Sequence, residues 1–131
     1  MSTSELSLEQ LYLIAGNIDL PGAPVLNLAL LYNPEAGALT GEALVTQAIA
    51  PPNGHVVIRP VSGAVHGLGL GGATRVFNLS GEYTVSVPPP AIGTYLAKFT
   101  AVFSTDNNWN GHGSFTYGNQ TVTNVPIKKR G

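Results

Sequence analysis

The chain reads as an all-β domain, and three observations predict that class. Sixteen Gly and ten Pro cut its 131 residues into short pieces. Within the pieces apolar residues recur at every second position, the period of a half-buried strand and not of a helix. Tight Gly- and Asn-containing turns join them, with no segment suited to a helical crossover. About eight short strands in this arrangement imply a mostly antiparallel sandwich, with a small closed barrel as the alternative. The length suits one domain over residues 1–131, and nothing resembles a linker.

The N-terminal segment Ser7–Gln10 has the form of a helix cap, but Leu11–Ala15 reads better as a strand. From Pro24 to Asn33 one parity carries Leu26, Leu28, Leu30 and Tyr32, which makes it the core face. After the turn Asn33-Pro34-Glu35-Ala36-Gly37, a strand from Ala38 to Ala50 places Leu39, Ala43, Val45 and Ile49 on one side, interrupted by Gln47. Pro51-Pro52-Asn53-Gly54 is a strong break. His55–Val61 forms the next strand, ending near Pro60, and Ala64–Leu70 resumes beyond Ser62-Gly63.

Thr74–Leu79 and Glu82–Val87 follow, the second with Tyr83, Val85 and Val87 inward. Pro88-Pro89-Pro90 stops it. Thr94–Phe103 then puts Tyr95, Ala97, Phe99, Ala101 and Phe103 on one parity. In the last hairpin a Gly118-Asn119 loop pairs Tyr117 with Gln120, Thr116 with Thr121, Phe115 with Val122 and Ser114 with Thr123. His112 extends the polar face beside Val125. Small-residue–Gly pairs at Thr40-Gly41, Ser62-Gly63, Ser80-Gly81 and Asn110-Gly111 are irregularly spaced, so they mark turns or bulges at strand starts and not a repeat.

With 44% hydrophobic but only 10% charged residues, the chain has fewer charges than a typical soluble domain. Val25–Tyr32 carries apolar residues on both parities, which suggests that a core covers one side and a second copy the other. A homo-oligomer is the expected partner state. Residues 1–58 hold five acids and no Lys or Arg, while Arg59–Gly131 holds all six bases and two acids. Folding is expected to mix these into one surface. Lys128-Lys129-Arg130 reads as a solvated tail, far short of a nucleic-acid patch.

There is no cysteine, hence no disulfide and no thiol nucleophile. The first ten residues lack a signal peptide's charge and apolar order, and no run is long enough to span a membrane, so a cytoplasmic setting is expected. No nucleophile elbow, zinc-protease or phosphate-loop spacing occurs, and the chain reads as a non-enzyme. His55, His66 and His112, even with Asp106 or Glu42, are too scattered to predict a metal site. No cofactor is expected.

Recognition remains. The stretch Thr105–Gly113 sets the single tryptophan, Trp109, among Asp106, Asn107, Asn108 and Asn110, with His112 beyond. An aromatic face beside amides suits a neutral polar ligand such as a carbohydrate. These six residues are the candidate ligand site of a lectin-like protein. The competing and favoured reading has Trp109 fold back to plug one end of the domain while Asp106 and the asparagines build turns. The function expected overall is a non-catalytic, self-associating binding or assembly module, with the lectin second and a hydrolase without a recognisable motif a distant third.

Pro21-Gly22-Ala23-Pro24-Val25-Leu26, Thr46-Gln47-Ala48 leading to Pro51-Pro52, Pro88-Pro89-Pro90-Ala91-Ile92-Gly93 and Asn124-Val125-Pro126 together resemble an uncharacterised bacterial family of small domains of unknown function. The resemblance runs from about Gly16 to Ile127. It implies a bacterial origin and no catalytic residue or ligand.

Overall fold

The computed structural model describes residues 8–47, 55–67, 75–87 and 90–130. Eight strands follow one another as β1 (Glu9–Ala15), β2 (Val25–Asn33), β3 (Ala38–Thr46), β4 (His55–Gly67), β5 (Arg75–Ser86), β6 (Thr94–Thr105), β7 (Gly111–Tyr117) and β8 (Gln120–Lys129). Each pairs antiparallel with its neighbour in sequence, and β8 returns to β1. The architecture is therefore the closed barrel and not the sandwich. Closure satisfies the edges that an open sheet would leave exposed. The seam is short, with the register running over Leu13↔Lys129, Ile14↔Lys128 and Ala15↔Ile127. Among the described residues no helix is long and apolar enough to cross a membrane.

The predicted inward parities hold. Leu26, Leu28 and Leu30 of β2, Leu39, Ala43 and Val45 of β3, and Ala97, Phe99, Ala101 and Phe103 of β6 are all buried. With Leu11, Leu13, Ile58, Val61, Phe77, Leu79, Phe115 and Ile127, all of these but Ala97 fill the interior as one cluster. Side chains pack the barrel as in other eight-stranded examples, where the diameter just accommodates them.

Two expectations about strand ends are corrected. His55–Val61 and Ala64–Leu70 are one strand through Gly67, because Pro60 does not end β4. Gly41 pairs with Val61 and Ala43 with Ile58, so Arg59 and Pro60 together oppose Glu42 in a bulge, where a residue without an N–H costs no ladder bond. The segments around Leu79 and Glu82 are likewise one strand, β5, pairing with β6 from Arg75↔Thr105 to Ser86↔Thr94.

Gly41, Gly63 and Gly81 consequently lie inside strands and not at their starts. At Gly63 an added Cβ would overlap the Asn78 carbonyl oxygen of β5, so the close approach of the two backbones requires glycine there. Near the end of β7, Tyr117↔Gln120, Thr116↔Thr121 and Phe115↔Val122 pair as expected. Ser114 and Thr123 do not. Thr123 and Asn124 form a second bulge opposite Ser114, with Asn124 at φ 53° and its N–H donated to Ser114 Oγ at 3.4 Å. The shift puts His112 opposite Pro126 and Gly113 opposite Val125.

The basic C-terminus is no free tail. Lys129 Nζ lies 3.6 Å from Glu9 Oε2, and Arg130 Nη1 donates to Asn27 Oδ1 at 2.8 Å. Arg59 lies 3.7 Å from Glu42. Bases from the second half thus meet acids from the first, as exposed pairs that contribute little stability each. Ile49, Pro51-Pro52-Asn53-Gly54, Leu68–Leu70, Thr74 and Pro88-Pro89 lie outside the described residues.

Candidate functional site

Up-and-down connection gives the barrel two ends with different chemistry. One end carries the β2–β3 and β6–β7 connections. Here Asp106 organises the β6–β7 loop: its N–H donates to the Asn110 carbonyl at 3.0 Å, and its Oδ1 accepts from the N–H groups of Asn108 (2.8 Å) and Asn110 (3.1 Å). The Trp109 N–H donates to the Asp106 carbonyl at 3.1 Å. An Asp that replaces missing backbone partners in this way is the usual reason for Asp at the head of a turn.

The loop delivers Trp109 into the barrel. Trp109 has φ 68°, uncommon for a bulky side chain, and its indole is only 2% exposed. Tyr32 and Phe77 meet it edge-on at centroid distances of 5.2 and 5.6 Å. Arg75, half-buried at the start of β5, stacks over its face at 4.5 Å and reaches Tyr32 at 5.8 Å. This is the packing alternative: the indole plugs the end. Backbone strain of about 1–3 kcal/mol at such a φ is outweighed by burial of so large a side chain.

Of the six residues singled out by sequence, the structure gathers Asp106, Asn107, Asn108, Trp109 and Asn110 in one loop. Asn107, Asn108 and Asn110 form its exposed rim. Trp109 is turned away from solvent, so the aromatic platform a lectin would need at this loop is not presented. His112 stands on the outer wall, exposed, between Ser104 of β6 and Pro126 of β8. Among the described residues no group of three His, Asp or Glu side chains comes together to hold a metal ion.

Among the described residues, the opposite end is aromatic. Tyr83 of β5, Tyr95 of β6 and Tyr117 of β7 converge there with Gln47, Asn119 and Gln120 around a cavity of about 310 Å³. Tyr117 is 7% exposed and stacks on Phe115, their centroids 6.1 Å apart. Burial raises the pKa of both the Tyr117 and Tyr83 phenols, and for Tyr83 the neighbouring Tyr117 and Tyr95 add to it. Each therefore remains a neutral hydrogen-bonding hydroxyl near neutral pH. Gln47 Nε2 donates to the Gly22 carbonyl at 2.9 Å, which ties its amide to the β1–β2 connection.

A family model described as "Domain of unknown function (DUF1842)" matches residues 9–122. The chain belongs to that family. The DUF1842 match takes in the barrel from the first residue of β1 to the start of β8, and with it both the Trp109 plug and the three tyrosines. In a search of curated proteins, none matches the chain.

Sequence reasoning missed the tyrosine end as a site, although its signal was present. Tyr83, Tyr95 and Tyr117 sit on inward parities, and Gln47 interrupts an apolar side. An amphipathic or polar side chain at an inward position near a strand end faces the mouth of a barrel, where ligands commonly bind.

Proposed function

We propose that this DUF1842 domain is a non-catalytic assembly module that self-associates through the outer wall of β1–β4. The observation that carries the reading is a difference between the two halves of the barrel's outer wall. On β1–β4, Tyr12, Leu31 and Val57 point outward at 49%, 39% and 46% exposure, with Ala29 and Leu44 half-buried beside them. On β5 the half-buried Val76 is followed outward by Asn78, Ser80, Glu82, Thr84 and Ser86, all polar and exposed. Leu96 and Val102 of β6 are exposed too, but they stand singly among Lys98, Thr100 and Ser104, which is ordinary for a surface.

The apolar half also carries its own charge complement. Glu42, Arg59 and Arg130 border one groove of about 330 Å³ with Tyr12, Leu44 and Val57. A two-fold contact repeats each residue on both sides, so Glu42 of one copy can meet Arg59 or Arg130 of the other while the apolar residues between them are covered. Few charges elsewhere oppose association.

Light scattering coupled to size exclusion tests the reading, with a dimer or larger species expected at micromolar concentration. Leu31→Glu, at an exposed position, is expected to yield folded monomer. A parent protein that is monomeric at every concentration overturns the proposal.

A further inference from the structure

We infer that the tyrosine-lined mouth of the barrel is a binding site for a neutral, hydroxyl-bearing ring the size of a monosaccharide. The inference goes beyond the assembly reading and uses a different surface, so either can stand without the other.

Size is the first argument. At about 310 Å³ the cavity lies at the small end of the range that ligand pockets occupy, which suits one sugar-sized ring. Its chemistry narrows the class. Among the described residues the lining consists of three phenols, the amides of Gln47, Asn119 and Gln120, two aliphatic side chains and glycine, with no acid, Lys, Arg or His. A charged ligand would lose its hydration there without meeting an opposite charge, a cost that a neutral one avoids. Aromatic faces cover C–H surface, whereas phenols and amides both donate and accept, the combination a polyhydroxylated ring requires.

The site is also held in shape. Tyr117 is fixed by burial and by its stack on Phe115. The Gly118 N–H donates to the Lys98 carbonyl at 3.0 Å, tying the β7–β8 turn to β6. A Cβ on Gly118, whose φ is 60°, would come within 3.0 Å of the Tyr83 hydroxyl, so glycine leaves that hydroxyl its space. Tyr95, 57% exposed, and Gln120 at the rim remain accessible to an arriving ligand.

Titrating the isotopically labelled full chain with glucose, galactose, mannose and N-acetylglucosamine, followed by amide chemical shifts, provides the test. At least one sugar is expected to give saturable shifts at Gly118, Asn119 and Gln120. A dissociation constant on the order of 1 mM is expected, since a ligand of about a dozen heavy atoms reaches that range at ordinary ligand efficiency. The double variant Tyr95→Ala, Gln120→Ala alters two exposed side chains and is expected to keep the parent spectrum elsewhere while weakening binding at least about tenfold. No saturable shift with any of the four sugars, shifts centred on residues 106–110, or binding undiminished in the double variant would each overturn the inference.

Discussion

The guanidinium carbon of Arg75 lies 4.5 Å from the centre of the Trp109 indole, while Arg75 Nη1 is buried without a hydrogen-bond partner among the described residues. The two facts pull in opposite directions. A desolvated cation–π contact is worth roughly 0.5–2 kcal/mol, and an orphaned buried donor costs about 1–3 kcal/mol. Arg75→Met keeps an apolar stem against the rings and removes both terms, so its unfolding free energy is expected within about 1 kcal/mol of the parent. Trp109→Ala has no such compensation: it empties the plug and is expected to cost about 3–5 kcal/mol, with a large fall in the melting midpoint. Chemical denaturation of both variants checks the contrast. A Trp109→Ala protein as stable as the parent would show that the indole is not a structural plug.

Thr105 offers a cleaner case of the same imbalance. It is 1% exposed, and among the described residues it is the one buried polar residue and its Oγ1 has no partner. Thr105→Val keeps the shape and the β-branch while exchanging an unsatisfied hydroxyl for a methyl group. The variant is expected to be more stable than the parent by about 1 kcal/mol, read as a higher denaturant midpoint at unchanged slope. Destabilisation would mean that the hydroxyl has a partner in solution.

The side of each strand that faces inward was legible in the sequence, because parity depends only on neighbours two apart. Leu26, Leu28 and Leu30 or Phe99, Ala101 and Phe103 declare it without help from the rest of the chain. Closure was not legible. It depends on Ala15 meeting Ile127 across almost the whole chain, and no local pattern encodes a contact of that separation.

Strand continuity failed for a related reason. Pro60 inside a bulge and Gly81 at a close backbone approach use the same residues that end strands elsewhere, so their local signal is ambiguous. At the sites, the turn chemistry of Asp106 and the inward fate of Trp109 could be read from their neighbours. Tyr83, Tyr95 and Tyr117 come from three strands, and only the barrel brings them together.

If inward glycines let the strands approach closely enough to close, their replacement should be felt far beyond the lost entropy of one residue. Gly63→Ala sets a methyl group on the Asn78 carbonyl oxygen, a backbone atom that cannot move without disturbing the β4–β5 ladder. A cost of about 3 kcal/mol or more is expected. Ser62→Ala, next door and exposed, is expected to change stability by no more than about 0.5 kcal/mol. Comparable melting curves for the two variants would remove close approach as the reason for glycine at this position.

The tyrosine mouth should leave its mark on alkaline stability. Tyr83 and Tyr117 both have pKa values raised above 10.0, chiefly because burial disfavours the phenolate. The folded chain therefore holds these protons more tightly than the unfolded chain. The linked stability is fully present below the ordinary tyrosine value and is lost as the pH rises through the higher folded values. Denaturation from about pH 8 to about pH 11.5 is expected to show a decline that begins near pH 10, where unfolded tyrosine ionises. Absorbance titration should show some of the five tyrosines ionising later than the rest. The double variant Tyr83→Phe, Tyr117→Phe is expected to flatten the decline, since phenylalanine keeps the rings and takes away the titrating groups. A parent whose five tyrosines titrate together near the ordinary value, with no difference in alkaline slope from the variant, would show that the two phenols ionise as they would in water.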